Sequence, residues 1–213
     1  MIRRSPFAAA LSLGLAAAPL AEALAWEEAL FSLRSRWEHT TTAMDEARRV
    51  DALEALAEEA EDLADANPEA STVLVWQGIV LASLAREAGG LDALGAAKEA
   101  RRVLERALEL DPRGHRGSAY VTLGALYDRA PGWPVAFGDD DTAERMFREA
   151  LEIRPEGIDV HYYYAAYLEE EGREDEALVH ARRAANGQAR EGREASDEAL
   201  RGKARAIVAR LEG

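Results

Sequence analysis

Apolar residues recur at helical spacing along almost the whole chain. Ala29, Leu30, Leu33 and Trp37 share one face of a predicted helix from Trp26 to about Trp37, and Thr40, Thr41 and Thr42 interrupt that pattern. Leu53, Leu56, Ala60 and Leu63 form the stripe of a second helix, about 44–66, which Asn67-Pro68 ends. The residue before a proline is pushed out of the helical region, so a stop there is expected. Leu74, Gly78 and Leu81 mark a third helix, and Gly89-Gly90 frees the chain to turn. Tyr120, Leu123, Gly124 and Tyr127 mark a later one, followed by a predicted helix from Asp140 to Ile153. After Gly172 comes another helix, then a polar, glycine-bearing stretch from Asn186 to Ser196. A last helix, about 197–211, carries Leu200, Ala204, Ile207, Val208 and Leu211 on one face.

These helices repeat. Ala143, Phe147, Ala150 and Pro155 are spaced by four, three and five; Ala177, Ala181 and Ala184 repeat the four-three spacing 34 residues later. Ala100, Leu104, Ala107 and Pro112 show the same spacing upstream, and Leu56, Ala60, Leu63 and Pro68 show a degenerate version of it. A 34-residue period with small residues at these points is the signature of the tetratricopeptide helix pair. The expected fold is therefore all-α: a tetratricopeptide-repeat solenoid of three to four helix pairs with a C-terminal capping helix. The units fall at about 26–68, 71–112, 117–155 and 158–189, with the cap at 197–211. Gly78, Gly124 and Ala165 stand where the first helix of a unit must approach the second closely. The second unit carries roughly ten residues beyond the motif, around Gly89 to Ala93. The third carries an insertion from Ala130 to Asp139.

The first 25 residues differ in kind. Arg3 and Arg4 precede an apolar run from Phe7 to Ala21, and Ala23-Leu24-Ala25 offers small residues to a signal peptidase. This layout predicts a signal peptide over 1–25 and a mature domain over 26–213. The run is too short and too rich in alanine for a membrane anchor. With no cysteine in the chain there is neither a disulfide nor the cysteine that a bacterial lipid anchor needs. The expected location is the periplasm, as a soluble protein held together by core packing. Formal net charge is −14, and the two lysines and scattered arginines make no basic stripe. Nucleic acid and anionic membranes are thereby disfavoured as partners.

Candidate chemistry is sparse. The insertion packs two prolines, two glycines, Trp133 and Phe137 into a connection that normally needs few residues. Those aromatics either wall a ligand cavity or plug a gap in the core. Asp139, just before a helix, reads as its N-terminal cap, and Asp140 and Asp141 suit the helix dipole. The oxygen spacing of a calcium loop is absent. All six tyrosines lie between Tyr120 and Tyr167, on the first helices of the third and fourth units. Tyr162, Tyr163 and Tyr164 are consecutive, so they fan around the helix and cannot all be core. Val75, Val121 and Tyr162 occupy the position of each first helix that faces the concave groove. An apolar, tyrosine-rimmed groove suits an apolar small ligand, a partner helix or self-association into a homo-oligomer; alternatively the terminal helix fills it. Trp133, Phe137, Tyr162 and Tyr163 are thus the candidate binding residues. His161 and His180 sit on facing helices, yet no ligand set for a metal accompanies them. No catalytic constellation, nucleophile elbow or phosphate-cradling loop is present, so neither an enzyme nor a cofactor is expected.

The segment from Tyr127 to Leu168 is more specific. It reads YDRAPGWPVAFGD, then Ala143, Phe147 and Ala150, then Pro155 to Asp159 and a run of tyrosines. In this it resembles the bacterial exported tetratricopeptide proteins grouped around the T-component of TRAP transporters. That resemblance implies a periplasmic accessory that associates with a solute-binding protein, some members being homo-oligomers with a cavity for hydrophobic ligands. The chain departs from the lipoprotein members in lacking the anchoring cysteine. The expected function is a non-catalytic binding or adaptor protein; the alternative is a protein-protein scaffold in cell-envelope assembly with no small ligand.

Overall fold

A computed structural model describes the backbone of residues 18–213 and the side chains from residue 26 onward. The charged start of the predicted leader and most of its apolar run lie outside the described residues. Nine α-helices make up this region: α1 (Ala18–Thr42), α2 (Arg49–Ala66), α3 (Ser71–Glu87), α4 (Gly90–Leu110), α5 (Ser118–Arg129), α6 (Asp140–Ile153), α7 (Ile158–Glu170), α8 (Glu174–Asn186) and α9 (Glu194–Leu211). No strand occurs among the described residues; Gly132 and Gly138 form an isolated bridge within the insertion. None of the described helices is long and apolar enough to cross a membrane.

Successive helices pair as antiparallel hairpins, α3 with α4, α5 with α6 and α7 with α8, and the hairpins stack. Small residues set the spacing within each pair. A Cβ at Gly124 would lie 2.6 Å from Cε1 of Phe147, a wholly buried ring, so the two backbones approach as closely as glycine permits. Gly78 stands in the same relation to Leu104 one unit earlier. Leu33, Leu53, Val73, Trp76, Leu104 and Leu123 anchor the larger core across α1 to α5. Phe147 stacks on Tyr164 and leans on Tyr167 in a smaller one, with ring centroids 5.6 and 5.8 Å away.

Three elements differ from the pattern read in the sequence. Helix α1 begins upstream of the predicted cleavage point and continues through Thr40, Thr41 and Thr42. The Thr41 and Thr42 hydroxyls donate back to the carbonyls of Trp37 and Glu38, at 2.9 and 2.6 Å, and so remain within the helix. The extra residues of the second unit form no loop: they lengthen α3 and α4 to 17 and 21 residues around a tight turn with Gly90 at φ 61°. Helix α9 starts at Glu194 rather than at about Asp197, and Asp197, within its first turn, is fully buried against the half-buried Arg190.

Candidate binding cavity

The first helices of the hairpins, α3, α5 and α7, line the concave face, and α9 runs back across that face. It packs on α8 and α7 and reaches α1 at the other end of the stack. It does not fill the space. Between α9 and the concave face remains a cavity of about 870 Å³. Ser196, Ala199, Leu200 and Lys203, at the spacing of one helical face, form its α9 wall. Ile79 and Ala82 of α3, Val121 and Ala125 of α5, and Leu94 at the start of the lengthened α4 supply apolar surface opposite.

Asp159 and Arg193 bring charge to the cavity lining, and an ion network lies behind them. Asp159 at the start of α7 accepts two hydrogen bonds from Arg154, both 2.7 Å, and one of 2.8 Å from Arg190. Arg190 also grips Asp197, whose side chain is fully buried, through its guanidinium and its backbone N–H. Four alternating charges, Arg154, Asp159, Arg190 and Asp197, thus tie α6, α7 and α9 together. Burial disfavours the charge on Asp159, yet Arg190 and Arg154 hold its carboxyl below the usual range. Arg193 lies with its guanidinium 4.5 Å from the ring of Trp37 and 5.2 Å from that of Trp76, and 3.6 Å from a Glu38 oxygen. Burial and the neighbouring Arg190 push its pKa down to about 10. The Ser196 N–H donates to Glu38 at 2.7 Å, which joins the start of α9 to α1. Trp37 donates through Nε1 to Ser83 at 2.9 Å, and Trp76 to Nε2 of His115 at 3.2 Å.

The residues singled out in the sequence divide. Tyr162 and Tyr163 line the cavity, half-buried, whereas Tyr164 turns inward to stack on Phe147. Trp133 stands at the tip of the insertion, 89% exposed, away from the cavity wall. Phe137 also lies off the wall: it packs edge-on against Tyr127, centroids 5.4 Å apart, beneath the Arg101 guanidinium. From the insertion it is Ala130, Pro131 and Val135 that reach the cavity. Val121 meets the cavity as its position predicts, but Val75 is wholly buried in the core and does not line it. Unit two presents Ile79 instead, one turn later. Asp139 caps α6, accepting from the Thr142 N–H at 2.8 Å. His161 and His180 meet Nδ1 to Nδ1 at 2.8 Å, and Nε2 of His161 bonds the Pro155 carbonyl at 2.7 Å. Among the described residues no cluster of three His, Asp or Glu is arranged to hold a metal ion.

Sequence reasoning missed the charged groups of this site. Arg190 and Arg193 sit in a polar stretch that looks like an ordinary linker, and Arg49, Arg86 and Arg129 resemble the solvated arginines of any helix end. Yet the cavity is lined by five cationic side chains, Arg49, Arg86, Arg129, Arg193 and Lys203, against two carboxylates, Glu87 and Asp159.

No protein-family model and no curated protein sequence matches this chain. Among solved structures it is similar to TTC0263, a thermophilic TPR protein of Thermus thermophilus, with a TM-score of 0.57 and 19% identity over 76% of this chain and 78% of that one. MamA aligns with a TM-score of 0.47 and 15% identity over 79% of this chain and 94% of that one. At such identities the first likeness is one of fold, and with the stacked hairpins it places the chain among tetratricopeptide-type helical solenoids.

Proposed function

We propose that this is a non-catalytic binding protein of the periplasm that carries a small ligand in the cavity between its concave face and α9. The cavity itself carries the reading: about 870 Å³ lies within the range of small-molecule sites, and α3, α4, α5, α7 and α9 all contribute to its walls. An accessory role in TRAP-type solute transport, beside a periplasmic solute-binding protein, rests on the resemblance of the segment Tyr127 to Leu168. Tagged protein purified from periplasmic extract, its N-terminus sequenced and its native mass measured, tests the proposal. The expected product begins at or near Trp26 and carries a small-molecule mass that is absent after unfolding and extraction. A ligand-free product that still begins at Met1 overturns both the carrier role and the location.

One observation favours the alternative, a scaffold that engages another protein or a second copy of itself. Trp133, Val135 and Leu91 are exposed apolar side chains, and the last two stand at the cavity rim. Under that reading Trp133→Ala removes a stoichiometric protein partner, or dissociates a homo-oligomer, while the purified protein carries no small molecule.

A further inference from the structure

The carrier reading leaves open what kind of molecule the cavity takes, and its charge distribution narrows the choice. The whole chain is strongly acidic, at −14, so an excess of cations around one cavity runs against its composition. At the mouth, Arg49 and Arg86 share a single carboxylate, that of Glu87, at 3.6 and 2.9 Å. Lys203 reaches the same mouth from α9 and makes no ion pair among the described residues. Partial burial and the neighbouring Arg86 charge push its pKa below the ordinary lysine value. Arg129 and Arg193 are paired behind the lining with Asp128, Glu170 and Glu38, so the surplus positive charge lies with Arg49, Arg86 and Lys203 around the one carboxylate of Glu87.

We propose that the cavity takes an amphipathic monoanion, a carboxylate held at the mouth by Lys203 and Arg86, with its apolar body laid along Ile79, Leu94, Val121 and Leu200. The inference rests on the carrier reading above. The same charges and volume weigh against other anions. Charges farther than a Debye length, about 8 Å at physiological salt, are screened for any anion seated inside, so the local count decides, and three cations less the one carboxylate of Glu87 leave little to match a highly charged polyanion. An α-helix about 10 Å across and rising 1.5 Å per residue would exhaust the volume in roughly seven residues, so an acidic partner helix fits poorly.

Three fluorescent probes of equal chain length separate the possibilities: a long-chain carboxylate, its methyl ester and the matching trimethylammonium amphiphile. Each is titrated below its micelle concentration into the full mature chain. The carboxylate should bind on the order of tenfold more tightly than the ester, and the cation more weakly than both. Lys203→Met with Arg86→Met should bring the carboxylate to the level of the ester without moving ester affinity. Ala125→Phe, placed on the α5 wall, should weaken every probe while the helical circular dichroism is retained. Equal binding of all three probes, still blocked by Ala125→Phe, overturns the charge inference and leaves the cavity as an apolar site. Binding of none of them to folded protein overturns the inference and the carrier reading together.

Discussion

Adding a single methyl group at Gly124 tests the packing of the repeat with little else disturbed. In Gly124→Ala the new Cβ would lie 2.6, 2.8 and 2.9 Å from Cε1, Cδ1 and Cζ of Phe147. Comfortable carbon–carbon contact is about 3.5–4.0 Å, so the ring must retreat by about 1 Å. It has nowhere to go: Phe147 is fully buried, with Tyr164 and Tyr167 against it. Overpacking of this kind costs about 1–3 kcal/mol. Alanine recovers about 1 kcal/mol of helix propensity, which leaves a net loss of up to about 2 kcal/mol. Gly95 in α4 is the internal control, since a Cβ there meets no atom within 4 Å. Gly95→Ala should therefore stabilise by about 0.5–1 kcal/mol. For a chain of this size each kcal/mol moves the melting temperature by about 2–4 °C, so the two alanines shift it in opposite directions. Thermal melts by circular dichroism read the result, and Gly124→Leu should melt lower still. Adding Phe147→Leu to Gly124→Ala should recover part of the loss, with a coupling of about 0.5–3 kcal/mol in a double-mutant cycle. A Gly124→Ala protein stabilised as much as Gly95→Ala would refute the close approach of α5 and α6.

Three other perturbations probe the loop, the ion chain and the histidines. Trp133→Ala should change stability by less than about 0.5 kcal/mol, while Phe137→Ala, which strips the packing from Tyr127, should cost about 2 kcal/mol in urea unfolding; equal effects would mean the loop is packed otherwise. Asp197→Ala leaves Arg190 short of a buried partner and should cost about 3–5 kcal/mol, and a loss under about 1 kcal/mol would reduce the ion chain to a surface pair. Burial and the facing His161 lower the pKa of His180 to about 4 from 6.5, so its neutral form contributes stability that is complete above pH 6.5 and lost as the pH falls towards 4. His180→Gln should flatten the pH dependence of the urea midpoint over this window; an unchanged slope removes the histidine pair from the acid response.

The parts of this molecule that are legible in the sequence are those whose residue types are narrowly constrained. Gly124 opposite Phe147, and the alanines recurring at four-three spacing, announce close helix contact because no larger residue fits. The bounds of α6 follow from the Asp139 cap and the break before Pro155. Helix α1 outruns its sequence pattern because three threonines weaken a helix only when their hydroxyls compete with it, and here Thr41 and Thr42 bond back into it. The ion network is hidden for a different reason. Arg190, Arg193 and Asp197 are chemically identical to the solvated charges around them, and only the return of α9 across the concave face buries them. Trp133 shows the converse. A large aromatic in a loop reads as an anchor, yet this one points into solvent, and Phe137 four residues on does the packing.

The bond from the Ser196 N–H to Glu38 spans 158 residues of sequence. An open stack of repeats is modular: each hairpin answers only to its neighbours, and units can be gained or lost at either end. Latching α9 onto α1 makes this stack indivisible. Closing a loop of that length costs on the order of 4–5 kcal/mol of chain entropy beyond a constant, and the latch recovers nothing until the intervening hairpins are in place. The two ends therefore order late and together, which raises the contact order above that of a linear array and slows folding accordingly.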